Sequence, residues 1–201
     1  MNNISKSQFS LYAAALAAAI AISGCSKSPE AEPVVQPSPE ATAAAVAAPP
    51  MAAPLTQDQV GAQYRISAEP VLVKNGEVVR TVVSVTNTGV TAINSNGNLP
   101  VNLAVSLVDL NGAAVAQDFV RVSLPAVGIP SGGSAEVVAE VPANQVAGKA
   151  LRFGLVQESV AWFSDFKIAP LDYGPFTSCE DQGKPTLCGK DGKPLAHVES
   201  N

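Results

Sequence analysis

The chain has 201 residues, a formal net charge of −5 and a single histidine. Seventeen acidic side chains against twelve basic ones leave no basic stripe able to track a phosphate backbone, which argues against nucleic acid as a partner. No polybasic patch for anionic lipid is present either.

The first feature along the chain is an apolar run of 14 residues from Phe9 to Ile22, after a polar start that carries Lys6. Its length suits the core of a signal peptide and falls short of the ~18 apolar residues of a membrane-spanning helix. The run closes on Ile22-Ser23-Gly24-Cys25, small residues followed by a thiol. This segment resembles the lipobox of bacterial lipoproteins. The resemblance implies a signal peptide over residues 1–24, cleaved ahead of Cys25, whose thiol and new amine are then acylated. More than one acyl chain implies stable anchoring, because a single chain binds membranes only marginally. Ser26 stands where the family's inner-membrane retention signal carries Asp, so the resemblance points to the outer membrane. The side of that membrane is left open.

Residues 25–60 read as a tether, because Pro29, Pro33, Pro37, Pro39, Pro49, Pro50 and Pro54 are too closely spaced for a continuing helix or strand. Such a disordered segment holds a domain clear of the bilayer, at roughly 30 Å for a flexible chain and roughly 100 Å when extended.

From 61 to 176 the pattern has period two. Val79, Thr81, Val83 and Val85 predict one half-buried strand and Val101, Leu103, Val105 and Leu107 another. Ala135, Val137, Ala139 and Val141, with Glu136 and Glu140 between them, and Leu151, Phe153 and Leu155 continue the theme. Asn75-Gly76, Asn87-Thr88-Gly89, Asn111-Gly112 and Ser131-Gly132-Gly133 separate the runs as turns. About seven short strands at this spacing predict an all-β, antiparallel sandwich, since each sheet has one apolar face that only another sheet covers.

Residues 177–201 form a tail with a short internal duplication. Cys179-Glu-Asp-Gln-Gly183-Lys184-Pro185 is echoed by Cys188-Gly-Lys-Asp-Gly192-Lys193-Pro194, which predicts two tight turns. With Cys25 assigned to lipid, Cys179 and Cys188 remain as an even pair in an oxidising compartment, so a disulfide is expected. Zinc held by Cys179, Cys188 and His197 would lack a fourth ligand, and no metal or other cofactor is expected.

Late in the sandwich comes Val156-Gln157-Glu158-Ser159-Val160-Ala161-Trp162-Phe163. Together with Val85-Thr86-Asn87-Thr88-Gly89 and Leu124-Pro125, it resembles an immunoglobulin-like module found beside enzymes and transporters of bacterial surface-polysaccharide assembly. Val156, Glu158, Val160, Trp162 and Phe163 match that module's closing segment, while Ser159 replaces an expected glycine. The resemblance implies an immunoglobulin-like fold and a sugar-related setting, and it implies no enzyme. Adjacent strand residues point to opposite faces, so one ring of Trp162 and Phe163 is expected inside and the other outside. An outward ring beside Glu158 makes a platform for a sugar or peptide, so Trp162, Phe163 and Glu158 are the candidate ligand-binding residues. The alternative is plain core packing, with Arg152 pairing to Glu158 or to a neighbouring carboxylate across the sheet.

Catalysis finds little support. His197 lies in the tail, expected to be frayed, and no nucleophile elbow or phosphate-cradling loop is present. Asn94, Asn96 and Asn98 alternate as in a calcium loop, but neutral amides supply little charge, and turn formation explains them. The expectation is a non-enzymatic, lipid-anchored envelope protein that binds a glycan or an envelope protein. The alternative is an assembly factor acting by edge-strand pairing.

Overall fold

The computed structural model describes residues 47–199; the signal segment, Cys25 and most of the tether lie outside the described residues. Nine strands follow in order: β1 (Ala62–Val73), β2 (Val78–Asn87), β3 (Val101–Val108), β4 (Ala114–Ser123), β5 (Ser134–Pro142), β6 (Lys149–Gln157), β7 (Ala161–Trp162), β8 (Leu171–Asp181) and β9 (Lys184–Cys188). One turn of helix, α1 (Ala143–Val146), joins β5 to β6. The strands pair antiparallel into a three-stranded sheet, β1-β2-β5, and a six-stranded sheet, β4-β3-β6-β8-β9, to which β7 adds beside β6. The sheets pack against each other as an all-β sandwich. The count exceeds seven because β7 has only two residues and β9 comes from the tail.

The period-two runs supply the core. Val79, Thr81, Val83 and Val85 of β2 and Val137, Ala139 and Val141 of β5 are buried. They share that core with Val101, Leu103, Val105 and Leu107 of β3 and Leu151, Phe153 and Leu155 of β6. Register aligns these rows, with Val83 opposite Val137, Leu103 opposite Leu155 and Val105 opposite Phe153. Each such aliphatic or aromatic side chain contributes about 1.5–3 kcal/mol when fully buried. The strand β3 is more than half-buried, since Ala104, Ser106 and Val108 on its outward face are also covered. It lies between β4 and β6, where Arg121 stands opposite Ala104 and Arg152 opposite Ser106. Long arginine stems shelter small neighbours in this way.

The packed region reaches beyond 61–176 at both ends. Ahead of β1, Met51 and Leu55 are buried in the core, although the proline spacing reads as tether. The asparagine loop holds this segment: Asn94 Nδ2 donates to the Pro49 carbonyl (3.0 Å), Asn96 Nδ2 donates to that of Ala48 (3.1 Å), and the Met51 amide donates to that of Asn96 (2.8 Å). Gln157, 1% exposed, completes the junction. Its Oε1 accepts from the Leu55 amide (2.8 Å), and its Nε2 donates to the carbonyls of Ala53 (3.0 Å) and Leu99 (3.1 Å).

At the other end, β8 runs past Phe176 and pairs with β9 from Thr177–Cys188 to Asp181–Lys184. The Cys179 and Cys188 sulfurs are at disulfide distance, 2.19 Å, across that hairpin. Both copies of the duplication make turns, with Gly183 at φ 76° and Gly192 at φ 74°. The chain after them is held in place. The Leu72 amide donates to the Ala196 carbonyl and the Val198 amide to that of Leu72, both at 2.8 Å, while Leu187 and Leu195 are buried. His197 is therefore fixed beside β1 instead of fraying, because the buried leucines on either side of the second turn anchor its segment.

Two buried polar side chains differ in satisfaction and set opposite expectations. Thr81 Oγ1 has no hydrogen-bond partner among the described residues. Thr81→Val, which keeps the shape and removes the hydroxyl, is expected to raise stability by about 1 kcal/mol in denaturant unfolding. Gln157→Leu leaves the Leu55 amide without its acceptor and is expected to cost about 1–3 kcal/mol. The same variant should open the chain near Ala53 to limited proteolysis, whereas Thr81→Val should not.

Candidate functional site

The six-stranded sheet has a gap beside β6. The strand β3 accompanies β6 along its whole length, from Val101–Gln157 to Val108–Ala150. On the other side β7 pairs only at Val156 and Gln157, and β8 only from Lys149 to Phe153. Two features of the sequence keep these partners apart. After Trp162 the chain leaves as a 3-10 turn, Phe163–Phe166, in which Asp165 Oδ2 accepts from the Trp162 amide (3.0 Å). Pro170, immediately ahead of β8, has no N–H with which to extend the ladder backwards.

The gap leaves the Leu155 amide of β6 without a strand partner on this side. Tyr64 reaches it from β1, in the opposite sheet, and its hydroxyl accepts from the Leu155 amide at 3.0 Å. Burial pushes the Tyr64 hydroxyl well above its ordinary pKa, and the Leu155 hydrogen bond only partly offsets this. It is a protonated phenol at any ordinary pH. Above it lies a cleft of about 180 Å³ floored by Ala104, Ser106 and Gly154, with Trp162, Arg152 and Pro170 around it.

Trp162 and Phe163 divide as expected. Phe163 is 1% exposed and sits in the core, so it is not a ligand contact. Trp162 is half-buried, lines the cleft, and carries the Arg121 guanidinium over its ring at 4.7 Å. Glu158 stands apart from the cleft. Its Oε1 accepts from Asn102 Nδ2 (2.8 Å) and Arg121 Nε (3.0 Å), so the carboxylate positions the arginine that stacks on Trp162. Arg152 finds its carboxylate directly across the sheet instead. Its Nε and Nη2 donate to the two oxygens of Asp172, each at 2.7 Å, and this pairing raises the Arg152 pKa.

Tyr64, Arg121 and Gly154 are the site residues that pattern reading misses. A lone glycine inside a strand pattern was a usable signal for Gly154, since it marks a bulge or a close approach. Nothing local distinguishes Tyr64 or Arg121. Among the described residues no group of three or more His, Cys, Asp or Glu side chains gathers as a metal site.

Fold and cleft together define a small antiparallel β-sandwich domain with a cleft of about 180 Å³ on the outer face of its larger sheet. No protein-family model and no curated protein matches the chain. Among solved structures, β-glucosidase 3B from Thermotoga neapolitana in complex with glucose is similar over 65% of this chain at 15% identity, with a TM-score of 0.31. The chain spans 17% of that protein's length, and a likeness at this score carries no argument.

Arg121→Met is expected to leave the fold intact, changing stability by no more than about 1 kcal/mol, because the contacts of the guanidinium with Trp162, Glu158 and Asp118 are all partly solvated. The variant should red-shift Trp162 emission and increase its quenching by acrylamide. Unchanged quenching would mean that the guanidinium does not cover the ring.

Proposed function

We propose that this chain is a lipid-anchored, non-enzymatic protein of the bacterial outer membrane, whose immunoglobulin-like domain binds an envelope glycan or protein. The observation that carries the binding role is the cleft between β7 and β8, with Trp162 on its wall and Tyr64 at its base. The strand order supports the immunoglobulin-like reading: β1-β2-β5 corresponds to A-B-E, β3-β6-β8 to C-F-G, and β4 lies beside β3 as C′ does. The anchoring rests on Ile22-Ser23-Gly24-Cys25. From Cys25 to Ala47, where the described residues begin, a flexible chain averages roughly 26 Å and an extended one reaches roughly 70 Å.

Carboxylates around the cleft are occupied, which favours binding over acid–base chemistry. Asp172 is tied to Arg152, Glu158 to Arg121 and Asn102, and Asp165 to the Trp162 amide. Edge-strand pairing is disfavoured at two of the four sheet edges, β4 and β1. The edge strand β4 is bulged where Asp118 adopts φ 66° and pairs with Arg121, and β1 is broken by two register shifts. Bulges and charges of this kind blunt an edge as a template for another chain.

Two measurements test this reading. Native protein isolated from membranes should begin at acylated Cys25 by intact mass, and Cys25→Ser should move it to the soluble fraction; an unacylated or differently trimmed terminus would remove the anchor. A photo-crosslinking residue at Ser164, on the cleft rim, should form envelope adducts in cells, while one at Glu136 on the opposite sheet should not. Equal labelling from both positions would contradict a recognition face around the cleft.

A further inference from the structure

We infer that the cleft beside Gly154 is a subsite for one uncharged sugar ring, and that position 154 is glycine for the ligand's sake and not for the fold's. The inference rests on the outer face being the recognition surface and adds the chemical class of what it takes.

Glycine inside a strand weakens it, so its presence there needs a reason. One reason is a left-handed backbone, and Gly154 is not among the positive-φ residues. A second is close packing, as at Gly174, where a Cβ would meet the Ala150 backbone at 2.8 Å and φ is 143°. At Gly154 a Cβ would meet only Pro170 Cβ, at 3.6 Å, an ordinary contact. Neither conformation nor packing requires glycine at this position. A side chain would instead rise from the cleft floor and fill it.

The walls specify the occupant. Trp162 presents an aromatic surface that the Arg121 contact holds in place, and an indole face suits the apolar face of a pyranose. The Tyr64 hydroxyl accepts from Leu155, and its own proton has no acceptor among the described residues, so it is free to donate to a sugar oxygen. Gln117 and Ser164 add neutral polar groups at the rim. The charged lining residue, Arg152, is paired bidentately with Asp172, so its charge is compensated and the lining offers no net charge to attract an anion. At about 180 Å³ the cleft is smaller than the ~300–1,000 Å³ of typical small-molecule sites, which suits one ring of a longer chain.

Trp162 is the only tryptophan in the chain, so its emission reports on this cleft alone. The full chain in detergent is titrated with neutral hexasaccharides (cello-, malto-, xylo- and chitohexaose) and with hexagalacturonate as the charged control. At least one neutral member should shift the emission saturably and bind more tightly than the galacturonate. Gly154→Val should weaken that binding at least tenfold while its Tm equals or exceeds that of the wild type, and Tyr64→Phe should weaken it about tenfold. No response to any neutral member, tighter binding of the galacturonate, or undiminished binding by Gly154→Val would overturn the inference. So would failure of Gly154→Val to fold, since glycine would then be serving the fold. Should the neutral panel fail while Ser164 adducts persist in cells, the sugar assignment falls and the recognition face stands.

Discussion

The hydrogen bond from the Leu155 amide to the Tyr64 hydroxyl is the constraint on which the outer face depends. A central strand needs partners on both sides, because a buried amide without an acceptor costs about 1–3 kcal/mol. On one side of β6 that partner is missing for a short stretch, since β7 ends at Trp162 and β8 starts at Leu171. Tyr64 supplies the missing acceptor from the other sheet. One side chain thus ties the two sheets together and lets the larger sheet carry an opening that would otherwise close or destabilise it.

Elsewhere, too, polar side chains stand in for strands. Gln157 gives three backbone groups their partners where the chain ahead of β1 docks, and Asn94 and Asn96 do the same a few residues earlier. Asn87, also buried, accepts from the Gly89 amide and donates to the carbonyls of Thr91 and Ile129, fixing the loop after β2. At the opposite end the disulfide-clipped hairpin brings Leu187 and Leu195 onto the core, so the end of the sandwich where β1 turns into β2 is closed by the tail. The two ends differ accordingly: at one, amide side chains hold residues 48–55, whose Met51 and Leu55 reach the core, and the other is closed by the apolar residues of the Cys179–Cys188 hairpin and the chain after it.

Much of this was legible in the residues, because strand periodicity reports directly on burial. The alternation in β2, β3, β5 and β6 identifies the inward rows, and the adjacency of Trp162 and Phe163 separates an outward ring from an inward one. What escaped reading depends on register and on contacts distant in sequence. Met51 and Leu55 look like tether, since Pro49, Pro50 and Pro54 dominate their surroundings, and their burial follows from an asparagine loop more than 40 residues later. Glu158 takes Arg121, from a strand two positions away in the sheet, while Arg152 takes Asp172 directly opposite in register. The cleft was invisible for the same reason: its floor is an absent side chain at Gly154, and its base is a tyrosine 91 residues away in sequence from the amide it caps.

Under the proposed anchoring, a subsite for one sugar ring suits capture of a repeating polymer, where weak contacts with single units gain strength from the high local concentration that an anchor creates. That account needs the cleft to be rigid before any ligand arrives. Native-state hydrogen exchange at single residues tests this most directly. The account predicts that the Leu155 amide exchanges as slowly as that of Phe153, whose strand has a regular partner in Leu171, and that Tyr64→Phe accelerates Leu155 selectively. Fast exchange at Leu155 in the unmodified protein, or no change in the variant, would contradict it.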